Sequence, residues 1–252
     1  MTTQKQQVVD LIASIASGAP EPVSIINADN YTQHNLAAAD GLAGFRALLD
    51  VVPNGSSVNT VRVFQDGNYV VAQSEYNIFG PQIGFDIFRF EDGKIVEHWD
   101  NLQAVTEPNP SGRTLIDGPT EIADVDKTQA NKAVAEGFVR DVLVGGQLDK
   151  VDDYCDGDHY IQHHPQIADG VSNLKAAFQS WAEAGITAKY HHIHHVLGEG
   201  NFVLLASEGE FNGAPTAFYD LFRIENGKVA EHWDIVEAIP ARDEWKNANG
   251  KF

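Results

Sequence analysis

Apolar residues recur along the chain with two different periods, and the period changes at a corresponding point in each half. Between residues 4 and 17, apolar side chains follow a helical spacing that stops at Gly18. A short second helix after Pro20 and a third helix from Gly41 to about residue 52 are predicted next. After these helices the pattern becomes strand-like, and Asp-Gly and Asn-Gly pairs mark hairpin turns.

Four β-rich stretches follow the helices in each half. In the first half they cover residues 57–65, 69–79, 84–91 and 94–105. In the second half, predicted helices near residues 126–144, 147–154 and 171–184 precede strands near residues 187–197, 201–212, 215–225 and 228–239. Helices followed by an antiparallel meander predict an α+β fold.

The two halves are copies of one another. Residues 85–100 read FDIFRFEDGKIVEHWD and residues 219–234 read YDLFRIENGKVAEHWD, and ten of these sixteen positions are identical. Upstream, Tyr31-Thr-Gln-His34 pairs with Tyr160-Ile-Gln-His163, and an Ala-Asp-Gly follows each. We therefore predict two tandem domains, residues 1–112 and 126–252, joined by a linker of residues 113–125 that contains Pro and Gly.

These elements, in this order and present twice, resemble the SnoaL-like proteins, the polyketide-cyclase branch of the NTF2-like superfamily. The resemblance implies two cone-shaped NTF2-like domains, each with about three helices packed on a curved, mainly antiparallel β-sheet around a ligand pocket. Members often pair sheet to sheet, which implies an internal pseudo-dimer of the two copies and leaves a further homo-oligomer open. Characterised cyclases of the family use neither a metal nor a cofactor, so none is expected here.

The resemblance implies an enzyme that acts by cofactor-free acid/base catalysis on a small hydrophobic carbonyl compound. The reaction would be an aldol-type cyclisation, or a related isomerisation or dehydration. A carboxylate in an apolar pocket suits this chemistry because desolvation raises its pKa, and a nearby His or Tyr can donate to the developing oxyanion. The alternative is a non-catalytic module that binds a small ligand or another protein, because this fold serves both uses.

The candidate site residues come from the repeated motifs. The candidate catalytic residues are Asp100, His98 and His34 in the first copy and Asp234, His232 and His163 in the second. The candidate substrate-binding residues are Tyr31, Trp99, Gln103, Tyr160, Trp233 and Glu237. On an ideal strand His98 and Asp100 share one face and Glu97 and Trp99 the other, so either pair could face the pocket. In many family members the catalytic carboxylate lies a few residues beyond the Trp, the position of Gln103 and Glu237 here.

Two further groups have a structural and a functional interpretation. Asp86 and Asp220 open the Asp-x-Phe-Arg strands, where a buried ion pair or a sheet contact is the default and a pocket acid is the alternative.

The run His191–His195 could suggest a metal site. Alternation along a strand leaves only two His on each face, fewer than zinc usually needs, so a polar strand surface is the favoured interpretation.

Composition limits the partners. The chain has 252 residues, with 36 acidic and 17 basic side chains and a formal charge of -19, which disfavours nucleic acid and anionic membranes. It contains no apolar run long enough for a membrane helix, and its polar start does not resemble a signal peptide. A single cysteine, Cys155, excludes an internal disulfide, so a cytoplasmic location is expected. The predicted partner is a small hydrophobic ligand.

Overall fold

The structure is a computed structural model and describes residues 2–252. It divides into two compact units. The first unit comprises the chain through Val105 together with Ile239–Phe252, and the second comprises Thr106–Ala238. These units are defined by packing. The limits 1–112, 113–125 and 126–252 describe the copies of the repeat, and they stay a prediction.

The first unit begins with helices and continues with strands. Its elements are α1 (Gln4–Ser17), a 3₁₀ turn (Pro22–Ile25), β1 (Thr32–Gln33), α2 (Gly41–Leu49), β2 (Ser57–Asp66), β3 (Tyr69–Asn77), β4 (Pro81–Glu91) and β5 (Lys94–Ala104). Helix α1 begins after Thr3, whose side chain accepts a hydrogen bond from the backbone N–H of Gln6. It ends at Gly18, whose φ of 68° is the left-handed conformation that glycine adopts at no steric cost.

The second unit repeats this order. Its elements are a 3₁₀ turn (Val125–Lys127), α3 (Thr128–Phe138), a π-helical segment (Val139–Val144), a 3₁₀ turn (Leu148–Lys150), α4 (Val151–Tyr154), β6 (Ile161–Gln162), α5 (Val171–Glu183), β7 (Ala188–Glu199), β8 (Phe202–Phe211), β9 (Ala214–Glu225) and β10 (Lys228–Ala238). A further 3₁₀ turn, Arg242–Glu244, lies in the segment that belongs to the first unit. The predicted α+β architecture of two tandem domains is confirmed.

Each unit contains one five-stranded sheet, ordered β1-β5-β4-β3-β2 in the first and β6-β10-β9-β8-β7 in the second. The long strands form an antiparallel meander, whereas the two-residue strands β1 and β6 pair in parallel with β5 and β10. These short strands lie in polar segments where the sequence predicts no strand. Their pairing sets Gln33 beside His98 and Gln162 beside His232, so the Tyr-x-Gln-His motif lies next to the Glu-His-Trp-Asp motif.

A β-bulge precedes Glu-His-Trp-Asp in both units and decides which of its side chains face the helices. Ile95 pairs with Phe90, and Glu97 pairs with Arg89, so Val96 is the extra residue in β5. The register of β10 shifts at the same place, across Ala230. Because the bulge reverses the alternation, the residues after it that share the core face are His98 and Asp100 in β5, and His232 and Asp234 in β10.

The helices cover this face of each sheet. In the first unit Val8, Leu11 and Ile12 of α1 are almost fully buried and cluster with Phe88 and Ile95 of the sheet. In the second unit residues of α3, the π-helical segment and α5 form the corresponding cluster with β8, β9 and β10. Burial of these apolar side chains is the main stabilising contribution to each unit. No helix within residues 2–252 is long and apolar enough to cross a membrane.

Candidate functional site

The second unit encloses a cavity of about 470 Å³ between its helices and its sheet. Aromatic side chains make up much of its wall: Phe138, Phe178, Trp181, Tyr190, Phe211 and Phe218. The polar lining includes Gln162, His164, Lys189, Asp220, His232 and Asp234. A largely apolar cavity of this size with a few convergent polar groups has the character of a small-molecule site.

A chain of hydrogen bonds connects the polar groups of the cavity. Gln162 Nε2 donates to the Tyr160 hydroxyl, and Gln162 Oε1 lies 3.1 Å from Nδ1 of His232. Nε2 of His232 lies 3.0 Å from Oδ1 of Asp220, and the Tyr190 hydroxyl donates to the same oxygen at 3.3 Å. Four elements, β6, β7, β9 and β10, therefore contribute to one network.

The network holds a single proton between His232 and Asp220. The backbone N–H groups of His163 and His164 both donate to Gln162 Oε1, which identifies that atom as the acceptor oxygen of the amide. Nδ1 of His232 must then donate to it, so Nε2 and Asp220 Oδ1 share one proton. The pair is either an imidazolium with a carboxylate or a neutral imidazole with a carboxylic acid, which is the composition of an acid/base unit.

Burial dominates the electrostatics of this network. It raises the pKa of Asp220, and the neighbouring carboxylate of Asp234 raises that pKa further. The hydrogen bond and charge of His232 act in the opposite direction. Burial also raises the pKa values of Tyr160 and Tyr190, so both phenols stay protonated and can act as donors.

The first unit contains the same network. Nδ1 of His98 lies 2.9 Å from Gln33 Oε1, and its Nε2 lies 3.1 Å from Asp86 Oδ1. The backbone N–H of Asn35 donates to Gln33 Oε1, so His98 and Asp86 also share one proton. Burial raises the pKa of Asp86. Asp86 and Asp220 thus each pair with a buried His of the neighbouring strand, and Asp220 also lines the cavity of the second unit.

The tyrosine that bonds this aspartate comes from a different strand in each unit. In the first unit it is Tyr76 of β3, paired across the sheet with Val58 of β2. In the second it is Tyr190 of β7, paired with Gly209 of β8. Tyr76 bonds Oδ2 of Asp86, whereas Tyr190 bonds Oδ1 of Asp220, the oxygen that already faces His232. Oδ2 of Asp220 is buried and has no hydrogen-bond partner within residues 2–252.

The second aspartate of each site also differs between the units. Asn35 Nδ2 donates to Oδ2 of Asp100, and the ammonium of Lys251 lies 3.7 Å from its Oδ1. Nε2 of His164 lies 3.8 Å from Oδ2 of Asp234, whereas the buried Oδ1 of Asp234 has no hydrogen-bond partner in the described part of the chain. Two aspartates that line the cavity of the second unit, Asp220 and Asp234, therefore each have one buried carboxylate oxygen without a hydrogen-bond partner in the described part of the chain.

One cluster has the composition of a cation site. Ligand atoms of Asp86, His98 and Asp100 lie within 4.8 Å of one another, close enough to hold a metal ion. These atoms already bond to each other, to Tyr76 and to Asn35, and the buried ammonium of Lys251 supplies a positive charge beside Asp100. The cluster is compensated by protein groups, and we assign no metal to it.

Histidines 34 and 163 lie on the opposite side of the motif strand from His98 and His232. Nδ1 of His34 contacts the Gly250 carbonyl, its Nε2 contacts Glu97, and its ring stacks on Trp99. His163 stacks on Trp233 in the same way, with Nε2 bonded to Glu231 and Nδ1 facing the Thr114 carbonyl. Both ring nitrogens of each His are engaged, and neither His163 nor Trp233 belongs to the cavity lining.

The remaining candidates divide in the same way. Tyr160 lines the cavity, and Tyr31 is its buried counterpart, reached by Gln33 Nε2. Gln103 and Glu237 alternate with the core-facing residues of β5 and β10, and Glu237 does not line the cavity. The sequence reasoning did not single out Tyr76, Tyr190 or Lys251. Tyr76 and Tyr190 lie on β3 and β7, which do not pair with the motif strands β5 and β10, so the sequence gives no signal for their contact with the aspartates.

Comparison with known proteins identifies the class. A family model described as the SnoaL-like domain matches the chain twice, at residues 8–98 and 135–232. The chain belongs to the SnoaL-like family and carries two tandem copies of its domain. No match was found among curated proteins.

The solved structures that are similar to this chain each cover about 40% of it, roughly the length of one copy. TsrD from Streptomyces laurentii is 22% identical, covers 40% of this chain and 92% of its own, and has a TM-score of 0.33. IdmH from Streptomyces antibioticus, described as a candidate polyketide cyclase, is 17% identical over 40% of this chain and 93% of its own, with a TM-score of 0.35. An NTF2-like protein of unknown function from Cytophaga hutchinsonii is 13% identical, and the match covers 41% of this chain and 92% of that protein, with a TM-score of 0.36.

Proposed function

We propose that the second unit is a cofactor-free acid/base enzyme acting on a small hydrophobic carbonyl compound. The observation that carries this proposal is the buried Oδ2 of Asp220, which has no hydrogen-bond partner among residues 2–252 and belongs to a side chain that lines the apolar cavity. The other oxygen of the same carboxylate shares a proton with His232. A buried carboxyl group with a raised pKa is suited to proton transfer near neutral pH.

The proposed reaction starts with removal of a proton from the carbon beside the carbonyl. In the imidazolium–carboxylate form of the pair, Asp220 Oδ2 accepts that proton, and the electron pair of the broken C–H bond forms an enolate. In an aldol-type cyclisation the enolate carbon bonds to a second carbonyl carbon of the same molecule, and the proton returns from Asp220 to the new alkoxide. In an isomerisation it returns to a different carbon. Both sequences leave the enzyme unchanged.

Each neighbour of Asp220 has a distinct role in this proposal. His232 and Tyr190 hold Asp220 Oδ1 and stabilise its charge, so they orient the base. Gln162 fixes His232 by accepting its Nδ1 proton. Asp234 offers its free oxygen to a donor group of the substrate. His163, Trp233 and Glu237 are not needed for this chemistry.

The first unit serves as scaffold in this proposal. The equivalent oxygen, Oδ2 of Asp86, already accepts the Tyr76 hydroxyl, and Asp100 is bonded by Asn35 and approached by Lys251. A base whose oxygens are occupied by donors cannot approach a C–H bond without losing those bonds. His98, Asp100, His34, Tyr31, Trp99 and Gln103 are therefore proposed as structural, although their types repeat those of the second unit.

The test is exchange of carbon-bound protons, because it detects the base without knowledge of the final product. A panel of aromatic ketones and β-keto esters is incubated with protein in D₂O, and loss of the α-proton signal is followed by NMR. We expect exchange catalysed by the wild type and by Asp86→Asn, and exchange reduced by about a hundredfold or more in Asp220→Asn.

Two results would refute the assignment. Equal loss of exchange in Asp86→Asn and Asp220→Asn would mean that the two units work together or that neither aspartate is the specific base. Thermal stabilisation by a ligand of the panel with no exchange in any variant would support the non-catalytic binding module instead.

Sheet-to-sheet pairing of the two copies, a further homo-oligomer and a cytoplasmic location remain proposals that rest on the family resemblance and the composition. Light scattering at several protein concentrations tests the oligomer. Fractionation of cells that produce the full chain tests the location.

A further inference from the structure

Asp234 is a buried carboxylate with one unpartnered oxygen. Its side chain is about nine-tenths buried and lines the cavity, and Oδ1 has no hydrogen-bond partner within the described chain. Removing a carboxylate from water without a donor for each oxygen is costly, and an apolar wall makes the cost larger. Such a group indicates a ligand with a hydrogen-bond donor. The equivalent carboxylate of the first unit, Asp100, shows which kind of donor this position accepts.

In the first unit a lysine ammonium approaches this carboxylate. Lys251 is only 5% exposed, and its Nζ lies 3.7 Å from Oδ1 of Asp100, the counterpart of Asp234. The ammonium arrives on an aliphatic chain and partly compensates the buried charge. Lys251 comes from the segment Ile239–Phe252, which follows the second copy in sequence and packs in the first unit.

The second unit has a matching segment whose cation takes another direction. The sequence Asn247-Ala-Asn-Gly-Lys251 corresponds to Asn109-Pro-Ser-Gly-Arg113. Asn247 Nδ2 donates to the carbonyls of Asn35 and Ala38, and Asn109 Nδ2 donates to those of Gln162 and Ile167. The two segments thus bind the loop after β1 or β6 in a similar way.

Arg113, unlike Lys251, forms an ion pair with Asp169, a partly exposed residue that does not line the cavity. The basic residue of this segment therefore compensates a surface carboxylate in the second unit and leaves Asp234 to its own surroundings. The cation that the fold supplies to Asp100 is not supplied to Asp234 by the corresponding residue.

The cavity around Asp234 is suited to an organic cation. Trp181, Phe178, Phe211, Phe218 and Tyr190 line it, and aromatic faces attract cations as well as apolar groups. The charged carboxylate and the aromatic wall act on different parts of the same ligand: one binds the charge and the other covers the carbon skeleton. A neutral alcohol could donate to Asp234 but would bring no positive charge to it.

We propose that the cavity of the second unit binds a small apolar ligand that carries a protonated amine, with the ammonium at the carboxylate of Asp234 and the carbon skeleton among the aromatic side chains. The ammonium takes the place relative to Asp234 that Lys251 holds relative to Asp100. This inference rests on the proposed function in that it names the substrate class of the same pocket, but it does not depend on the chemistry of Asp220.

The test compares two probes of equal shape by isothermal titration calorimetry at neutral pH. Naphthylethylamine is protonated, and naphthylethanol replaces its ammonium with a hydroxyl. The wild type is expected to bind the amine about tenfold or more tightly than the alcohol. Asp234→Asn is expected to remove that preference and to leave alcohol binding within about threefold, which also shows that the variant cavity is intact.

Glu210→Gln is the matched control, because it removes one negative charge from the same unit on the face of β8 opposite Phe211. It should leave the preference for the amine unchanged. Equal affinity of the wild type for both probes, or a preference that survives in Asp234→Asn, would overturn the proposal. If the wild type shows no preference for the amine but α-proton exchange still requires Asp220, the pocket is assigned correctly and the ligand class is wrong. Absence of both binding and exchange refutes the pocket itself.

Discussion

Replacing Gly209 with alanine tests whether the close approach of β7 and β8 positions Tyr190 against Asp220. A Cβ at Gly209 would lie 1.9 Å from the carbonyl oxygen of Lys189, whereas ordinary contacts of this kind are 3.4–4 Å. The atom it meets belongs to the backbone and cannot rotate away. The two strands must therefore separate by about 1.5 Å, the difference between 3.4 and 1.9 Å, at the residue pair Tyr190–Gly209.

The cost follows from overpacking and lost hydrogen bonds. Forcing an extra carbon into a packed position costs about 1–3 kcal/mol, and each ladder hydrogen bond that is stretched beyond its range adds about 1 kcal/mol. We expect Gly209→Ala to lower the free energy of unfolding by about 3 kcal/mol, or the melting temperature by about 6–12 °C. Tyr190 moves with its strand, so α-proton exchange should fall by up to about a hundredfold.

Gly213→Ala is the control for backbone strain without strand separation. Gly213 has a φ of 79° in the turn between β8 and β9, and a Cβ there meets no atom within 4 Å. This variant should lose about 1 kcal/mol from left-handed strain and keep full exchange activity. Calorimetry and the NMR exchange assay measure both quantities. A Gly209→Ala protein with wild-type stability and activity would refute the claim that this glycine sets the position of Tyr190.

Three further changes have defined outcomes. Burial raises the pKa of Asp220 above its ordinary value of 3.8, so the stabilising contribution of this group is complete below that pH and is lost as pH rises through the native pKa. The stability of Asp220→Asn relative to wild type should therefore increase from about pH 4 upward in urea titrations, and a difference that does not change with pH would contradict the shift. Burial raises the pKa of Cys155 to about 12, so a thiol reagent at neutral pH should react only as the protein unfolds, and prompt labelling of native protein would contradict this. Asn109→Ala removes two hydrogen bonds, of 2.7 and 2.8 Å, to the carbonyls of Gln162 and Ile167, and should cost about 2–4 kcal/mol in denaturant unfolding, a cost that Ser111→Ala should not reproduce.

Much of the fold could be predicted because local signals agree with it. The helical stripe of residues 4–17 ends at a glycine, and the Asp-Gly and Asn-Gly turns lie between strands, so element type and order follow from short-range chemistry. The internal repeat made the two-domain architecture visible without any structural information. The parallel strands β1 and β6 were missed because two residues in a polar segment carry no periodicity.

The site was less predictable, and the bulges explain why. Simple alternation from Ile95 would place Glu97 and Trp99 on the core face, and only the extra residue Val96 brings His98 and Asp100 there. A bulge has no fixed sequence signal, so the orientation of the motif stayed open. The exchange of tyrosine between neighbouring strands is equally hidden, because Tyr76 and Tyr190 are not equivalent in the repeat and meet equivalent aspartates only through strand pairing.

The first unit is built from two segments that lie far apart in the sequence, and this affects its synthesis on the ribosome. Its main part ends at Val105, but the segment Ile239–Phe252 that contacts its loops and carries Lys251 emerges only after the whole second unit has been made. At a usual rate of about 5–20 residues per second, the nascent first unit waits roughly 7–30 s for that segment. During this interval Asp100 lacks the ammonium of Lys251, and the Asn35 carbonyl lacks its hydrogen bond from Asn247. The domain translated first is thus the domain completed last, and a ribosome stalled between the two would hold a unit that is folded in outline but still lacks its final segment.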